Sequence, residues 1–206
     1  MKTKDLPEFP EFVPLGLEHK ELLNGIFLSY KQEISEMNFV ELFIWRDVRG
    51  SKICQLRGNL CVFAEKEKHF YPPVGNAGFK ETIMDLMEWQ KANGVNANMY
   101  LPPDAMSGVL AGLGPGFVTE EDRNNADYLY RTKDLVSLKG HKYDGKRNLI
   151  RQFKRDYAFE YIPMKEELLP ECLEFQKRIL NYLLKDFIME QKLKIFCCSQ
   201  MLDLIF

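Results

Sequence analysis

Apolar residues recur at spacings of three and four in several stretches of the chain, which is the pattern of amphipathic helices. This spacing predicts four helices, at residues 17–35, 79–93, 145–157 and about 165–184. Gly94 follows the second of them at the position of a C-terminal cap. The run at 39–45 is too short for periodicity to separate a buried helical turn from a strand, so both alternatives stay open there.

Short apolar and aromatic runs predict a hairpin and further strands. Residues 52–56 and 60–64 flank an Arg57-Gly58-Asn59 turn, in which Gly58 can adopt the positive φ of a tight hairpin. This pattern continues into residues 69–71. Further strands are predicted at residues 98–101, 127–131 and 158–163. Helices mixed with hairpin strands, without an internal repeat, predict an α+β (mixed α/β) domain.

The composition is that of a folded globular protein and carries no global charge signal. Hydrophobic residues make up 46% of the 206 positions and charged residues 28%, which is typical of chains that bury a core. A net charge of -2 gives no general attraction to nucleic acid or to an anionic membrane. Any binding of that kind must therefore come from a local patch of basic residues.

The sequence predicts a cytoplasmic protein without a transmembrane segment. The first eleven residues are rich in charge and contain two prolines, which is unlike a secretory signal. The most apolar stretch, residues 195–206, is shorter than the roughly 18 to 20 apolar residues that span a bilayer.

The cysteines and histidines have no metal-site spacing. The five cysteines include no Cys-x-x-Cys pair and the three histidines are scattered, so neither a metal nor a cofactor is predicted. The adjacent Cys197 and Cys198 are compatible with redox chemistry. Buried and reduced thiols are nevertheless the expected state of such residues.

The most strongly charged stretch of the chain, residues 139–155, is named the basic segment here. It holds seven lysines and arginines against one acidic residue, Asp144. Arg147, Arg151 and Arg155 follow one another at helical spacing and so share one stripe. A tRNA backbone or another anionic ligand would suit this stripe, and an ordinary solvated helix face is the alternative. The candidate phosphate-binding residues are Lys139, Lys142, Lys146, Arg147, Arg151 and Arg155.

The remaining motifs give no catalytic assignment. Residues 55–60 approach the phosphate-loop pattern of acyl-CoA enzymes, but Leu60 breaks it and a hairpin turn is predicted. Residues 112–116 lack the Lys-Ser/Thr pair of a phosphate loop and are predicted to be a simple loop. The acid-base candidates form no nucleophile-base signature; they are Glu120, Glu121, Asp122, His141 and Asp144. Six aromatic residues are expected in the core, namely Trp45, Trp89, Tyr128, Tyr130, Phe153 and Tyr157.

Residues 128–153 combine an aromatic run, a Leu-x-x-Leu-x-Gly turn and Lys-Arg-Asn-x-x-x-x-Phe on a helix. This combination resembles a hallmark segment of the phosphatidylglycerol lysyltransferase C-terminal family. Upstream, Phe43-Ile44-Trp45-Arg46 and the hairpin that returns at Leu60 are similar to the opening region of the same family. The resemblance covers about residues 9–176.

The resemblance implies a fold of two tandem acyl-CoA N-acyltransferase-like (GNAT-like) halves. The expected organisation is a tail at 1–12, a GNAT-like domain at 13–157 and the start of a second half at 158–206. Lipid-modifying members of the family move an aminoacyl group from a charged tRNA to a lipid headgroup. The implied activity is therefore acyl or aminoacyl transfer, with acyl-CoA or aminoacyl-tRNA as the donor. A non-catalytic binding module for tRNA or phosphorylated ligands is the alternative function.

The family pattern continues beyond the length of this sequence, because most of the second half has no counterpart before Phe206. A natural truncation, a frameshift and a gene-model fragment are all open as explanations. We expect such a form to be inactive alone and to self-associate through uncovered apolar surface. Apolar tail residues could cover that surface or promote association; they are Ile188, Leu193, Ile195, Phe196, Leu202, Leu204 and Phe206.

Overall fold

A computed structural model describes residues 5–100, 102 and 106–186 of the chain. The strands in this part are β1 (Val13–Pro14), β2 (Ser51–Leu56), β3 (Asn59–Ala64) and β4 (His69–Phe70). The α-helices are α1 (Lys20–Ser29), α2 (Phe39–Ile44), α3 (Arg46–Arg49), α4 (Phe79–Ala92), α5 (Ser107–Ala111), α6 (Thr132–Ser137), α7 (Asp144–Asp156) and α8 (Leu169–Asp186). None of these helices in the described residues has both the length and the apolarity needed to cross a bilayer.

The described chain is mixed α/β, as the sequence predicts. It divides into two compact units. The first unit holds the described residues up to 125 together with 180–186, and the second holds residues 126–179. The sheet lies in the first unit, and α6 and α7 lie in the second. The adjacent Cys197-Cys198 pair and the apolar tail residues lie outside the described residues.

A two-residue turn closes the β2–β3 hairpin. Arg57 and Gly58 both have positive φ, 54° and 78°, which is the geometry that matches the twist of the flanking strands. Pairing runs from Leu56 opposite Asn59 to Ser51 opposite Ala64. The other two strands pair antiparallel on either side, in the order β1-β2-β3-β4. The predicted hairpin is confirmed, with Asn59 as the first residue of the return strand.

The sheet is buried on both faces, because alternate residues of a strand point to opposite sides. One face belongs to a first core cluster that α1 and α2 complete, and its sheet residues are Ile53, Leu60, Val62 and Ala64. The other face belongs to a second cluster that Leu86 of α4 completes, and its sheet residues are Cys54, Cys61, Phe63 and Phe70. Strand β3 is therefore buried at every position, which accounts for its nearly uninterrupted apolar run.

Two buried cysteines face each other across the hairpin. Cys54 and Cys61 are directly paired in the β2–β3 register, and both are free thiols with no exposed surface. A hydrogen bond with the Cys54 thiol and burial raise the pKa of Cys61 well above its ordinary value. Cys172 is also a free thiol and is half-buried. The expectation of buried and reduced thiols concerned Cys197 and Cys198, which lie outside the described residues.

Asn59 ties the hairpin turn to the loop that precedes α4. Its side chain is fully buried, and Nδ2 donates to the carbonyl oxygens of Leu56 (3.2 Å) and Ala77 (2.6 Å) and to Thr82 Oγ1 (3.1 Å). Gly75 comes so close that a Cβ there would lie 2.1 Å from Asn59 Oδ1. One amide group in the core therefore joins the hairpin to the start of the next helix.

The helix boundaries differ from the prediction at α1. The helix ends at Ser29 instead of continuing to 35, because the chain turns at Tyr30 and buries Met37 in the first core cluster. Asn38 then caps α2 by accepting a hydrogen bond from the Glu41 amide at 2.9 Å. This cap settles residues 39–45 as a helix rather than a strand. The predicted helix at 79–93 is confirmed as α4, with Gly94 at a φ of 68° just beyond it.

Two predicted strands are wrong, and a third pairs through a single bridge. Residues 127–131 and 158–163 form no ladder with any described strand. The segment 98–101, whose last residue is outside the described range, makes a single parallel bridge from Met99 to Phe70. A strand needs a neighbouring backbone segment as partner for its N–H and C=O groups. The residues of a segment do not specify that neighbour.

The aromatic residues of the second unit are not in a core. Their exposed fractions are 86% for Tyr128, 50% for Tyr130, 49% for Phe153 and 62% for Tyr157, so the expectation of burial is wrong for all four. In the first unit, Trp45 and Trp89 are half-buried. Trp89 packs against the second core cluster, where its ring centroid lies 5.4 Å from that of Phe63.

Candidate functional site

Helix α7 carries most of the basic segment and presents two different sides. Because an α-helix turns by about 100° per residue, Arg147, Arg151 and Arg155 fall within an arc of about 80°. Leu149 and Phe153 lie on the remaining side and are 66% and 49% exposed. The predicted helix at 145–157 is confirmed, so the arginines do share one stripe.

Arg147 binds the loop that precedes its own helix. Its guanidinium donates to the carbonyl oxygen of Leu138, to that of Gly140 at 3.1 Å and to the carboxylate of Asp144. Leu138 has a φ of 47° and Gly140 a φ of 94°, so the chain bends sharply there and leaves carbonyl groups without helical partners. Arg147 therefore orders residues 138–144.

Two further basic residues are paired with carboxylates. Lys142 Nζ lies 3.8 Å from Asp134 Oδ2 and 4.9 Å from the centre of the Tyr143 ring. Arg155 donates to both carboxylate oxygens of its neighbour Asp156, at 2.7 and 3.1 Å. The hydrogen bond with Asp156 raises the pKa of Arg155. These pairs reduce the net positive charge that the two side chains offer to a ligand.

The remaining basic side chains are exposed and uncommitted. Among the described residues, no hydrogen bond or ion pair engages the side chain of Lys139, Lys146, Arg151 or Lys154. The structure thus separates the six predicted residues into one that orders the loop, two that are paired and three that are available. Lys154 adds a fourth available cation beside the stripe.

The predicted acid-base groups form no common site in the described residues. His141 Nδ1 lies 3.1 Å from Asp144 Oδ2, and the imidazole is fully exposed. Asp122 accepts hydrogen bonds from the Asn124 amide and the Asn125 side chain. The His141–Asp144 contact and the Asp122 hydrogen bonds each stay within a local turn of the chain. No described set of three or more His, Cys, Asp or Glu is arranged to hold a metal ion.

A second feature lies in the first unit, at one corner of the sheet. Ser51, Ala64 and His69 form a row across β2, β3 and β4, and Tyr71 lies two residues beyond His69. Arg49 ends α3 just before this row. We name Arg49, Ser51, His69 and Tyr71 the polar corner. Each contributes a buried polar side-chain atom without a hydrogen-bond partner: Arg49 Nη1, Ser51 Oγ, His69 Nε2 and Tyr71 Oη.

Glu67 and Tyr100 stand beside the polar corner. One carboxylate oxygen of Glu67 lies 4.0 Å from Arg49 Nε and the other lies 3.5 Å from His69 Nε2. The Arg49 guanidinium carbon is 5.9 Å from the centre of the Tyr71 ring. The ring centroids of His69 and Tyr100 are 4.5 Å apart. Neither Glu67 distance is short enough for a hydrogen bond.

Burial sets the protonation states in the polar corner. Burial and the positive charge of Arg49 lower the pKa of His69 to about 4, so the imidazole is neutral at pH 7. Burial raises the pKa of Tyr71 far above its ordinary value, and burial together with Asp122 raises that of Tyr100. The corner therefore contains one fixed cation and three neutral groups, and the two hydroxyls among these groups can donate hydrogen bonds.

A surface pocket of about 210 Å³ adjoins the same region. Its lining residues are Glu67, Lys68, Gly94, Asn96 and Asn98. Gln90 joins two of its walls, since Nε2 lies 3.4 Å from the Lys68 carbonyl oxygen and 3.2 Å from that of Asn96. Glu67 thus lines the pocket and also lies beside the polar corner. Residues 69–71 carry only a strand pattern in the sequence, so this site was not predicted.

Comparison with known proteins places both features inside one family match. The family described as "Phosphatidylglycerol lysyltransferase, C-terminal" matches residues 27–191. The structure is similar to the crystal structure of a conserved protein of unknown function from Bacteroides thetaiotaomicron, with 24% sequence identity and a TM-score of 0.78. The match covers 91% of this chain and 65% of that one. No functionally curated protein matches the sequence significantly.

Proposed function

Because the chain belongs to the phosphatidylglycerol lysyltransferase C-terminal family, we propose that it takes part in acyl or aminoacyl transfer and that its basic segment binds the phosphates of the donor. The observation that carries this proposal is the location of the basic segment within the family match, with a stripe of arginines on one helix. We further propose the GNAT-like architecture for its fold. An antiparallel sheet with helices against both faces supports that part of the proposal.

An aminoacyl-tRNA or an acyl-CoA is a suitable donor, since each carries phosphates together with an activated carbonyl carbon. Charged tRNA also agrees with a cytoplasmic location. An amine or hydroxyl of the acceptor would attack the carbonyl carbon, and the protein would assist by positioning the reactants and stabilising the oxyanion. Lys139, Lys146 and Arg151 would contact phosphates, while Arg147 keeps the preceding loop in place.

A non-catalytic phosphate-binding module is the second candidate. The observation in its favour is that the six predicted site residues are all lysines and arginines. Such side chains bind phosphates well, but a solvent-exposed lysine or arginine remains protonated at neutral pH and is a poor general base. The tRNA-binding step is common to both candidates, whereas only a transferase removes the acyl group from its donor.

The first experiment measures tRNA binding by fluorescence anisotropy over a series of salt concentrations. If Lys146 and Arg151 each contact a phosphate, the double variant Lys146→Gln/Arg151→Gln should reduce the slope of log K against log salt by about 1.4 to 1.8. Arg178→Gln is the matched control, because Arg178 is an exposed arginine of α8 outside the basic segment, 77% exposed and paired with Glu174. Its slope should stay at the wild-type value.

The outcomes separate the parts of the proposal. Equal slopes for the double variant and the control would refute phosphate binding by α7. If binding is confirmed, labelled aminoacyl-tRNA is incubated with the protein and candidate amine or hydroxyl acceptors. Loss of the aminoacyl ester with formation of labelled product supports the transferase, whereas an intact ester on bound tRNA supports the binding module.

A further inference from the structure

We propose that the polar corner is a binding site for the carboxylate group of a small ligand, and that Glu67 is an internal carboxylate which the ligand displaces. This inference concerns the first unit and does not depend on phosphate binding by the basic segment. It assigns a class of ligand to Arg49, Ser51, His69 and Tyr71, none of which belongs to a motif that the sequence predicts to be functional.

Buried polar atoms without a hydrogen-bond partner cluster at the polar corner. Six buried side-chain nitrogen or oxygen atoms lack a hydrogen-bond partner in the described residues, and four of them belong to the polar corner. Buried polar groups in proteins are almost always hydrogen-bonded, because an unmade bond costs about 1–3 kcal/mol. Tyr71 has no exposed surface and His69 is 6% exposed, so surface water does not satisfy these atoms. Four such atoms in one place indicate a polar binding partner.

The chemistry of the four atoms selects a monoanionic acceptor. Arg49 Nη1 can only donate, and the hydroxyls of Ser51 and Tyr71 can donate as well. The imidazole of His69 beside them is neutral and adds no negative charge. A planar carboxylate suits a guanidinium flanked by neutral donors. A phosphate dianion fits less well, because the Glu67 carboxylate lies beside the same site, 4.0 Å from Arg49 Nε and 3.5 Å from His69 Nε2.

Glu67 faces the polar corner and also lines the surface pocket. Its carboxylate already faces Arg49 and His69, but at 4.0 and 3.5 Å, too far to satisfy either one. The side chain is 42% exposed and also lines the 210 Å³ pocket, so it can turn toward solvent. The pocket is smaller than the roughly 300–1,000 Å³ of sites for drug-sized ligands. The expected ligand is therefore a small monocarboxylate whose carboxylate takes the place of the Glu67 carboxylate beside Arg49 and His69.

The test uses acetate as the probe and His69 as the reporter. The chain has three histidines, so the imidazole Cε1–H signals are few and a His69→Gln spectrum identifies the relevant one. The 206-residue chain is titrated with sodium acetate at constant ionic strength, with sodium chloride and inorganic phosphate as comparison salts. We expect a saturable shift of the His69 signal with acetate and no saturable shift with chloride or phosphate.

Two matched variants test the role of Glu67. Glu67→Gln removes the competing carboxylate and should lower the Kd for acetate by about two- to fivefold. Glu65→Gln removes the same charge from a nearby side chain that pairs with Lys52, and should leave the Kd unchanged. Arg49→Gln should raise the Kd more than tenfold, and if it does not fold, the two glutamate variants still decide the matter.

Three results would overturn the proposal. The first is an acetate response of His69 that matches the response to chloride. The second is saturable binding of phosphate at least as tight as that of acetate, which would assign a general anion site. The third is a Glu67→Gln protein that binds acetate no better than the Glu65→Gln protein does.

Discussion

Replacement of Asn59 by alanine should destabilise the first unit strongly, because this amide is the polar link between the hairpin and α4. Its Nδ2 donates to the carbonyl oxygens of Leu56 and Ala77 and to Thr82 Oγ1. The Asn59→Ala variant leaves two backbone carbonyl groups without this donor in the interior. At about 1–3 kcal/mol for each buried group left unpaired, the expected loss is about 2–6 kcal/mol.

Tryptophan fluorescence during urea unfolding is a suitable assay. Both tryptophans of the chain, Trp45 and Trp89, lie in the first unit, so the signal reports the unfolding of that unit. With a urea m-value of about 2 kcal/mol/M, a loss of about 3 kcal/mol lowers the midpoint by about 1.5 M. Asn125→Ala is the control, because Asn125 is exposed and binds only a nearby carboxylate, Asp122, and its midpoint should move by much less.

A double-mutant cycle makes the reasoning refutable. Thr82 Oγ1 accepts from Asn59 and donates to the Gly78 carbonyl oxygen at 2.8 Å. Thr82→Val and Asn59→Ala should therefore be less than additive, with a coupling of about 0.5–1.5 kcal/mol. Additive effects, or an Asn59→Ala midpoint equal to that of Asn125→Ala, would show that this amide does not hold the hairpin to α4.

Two further predictions concern Arg147 and His69. Arg147→Ala should speed hydrogen exchange of the amides at 138–144 by about fivefold, because two loop carbonyls lose a donor; Arg155→Ala is the control, and equal exchange in both variants would contradict the assigned role. The pKa of His69 is about 4 in the folded state against 6.5 in a free side chain, so the unfolded chain binds more protons between these pH values. The contribution of the neutral His69 to the free energy of unfolding should be fully present above pH 6.5, and on the order of 3 kcal/mol should be lost as the pH drops to 4. A His69→Gln protein whose urea midpoint has the same pH dependence would refute this.

Local sequence signals were sufficient for the hairpin and for the basic helix. Gly58 supplies a positive φ at the turn whatever the rest of the fold does. The stripe of Arg147, Arg151 and Arg155 needs only the helical repeat. The family resemblance rested on such local motifs and is confirmed by the match over 27–191.

Features that depend on distant partners could not be predicted in this way. The aromatic run at 127–131 is typical of a strand, but a ladder requires a neighbouring strand that the run does not specify. The different roles of the basic residues depend on where Leu138 and Gly140 place their carbonyl oxygens. The sequence places all of these residues on one segment but does not show which of them are already bonded.

The polar corner is the clearest case of information that is absent from local sequence. Arg49 and His69 are twenty positions apart, and each is ordinary in its own segment. They meet because the strand register sets Ser51 opposite Ala64 and Ala64 opposite His69. A shift of that register by one residue would turn His69 to the other face of the sheet.

The short outer strands also determine how this sheet can meet other chains. β1 and β4 are two residues long each, and Pro14 in β1 has no N–H to offer. Other segments pair beside these short strands, since the Phe9 amide donates to the Gln55 carbonyl oxygen of β2 and the Tyr100 amide donates to the Phe70 carbonyl oxygen of β4. Both edges thus offer few free backbone groups as a template for an added strand. Contacts with other copies of the chain through the first unit would therefore use side-chain surfaces, and growth of the sheet from molecule to molecule is disfavoured.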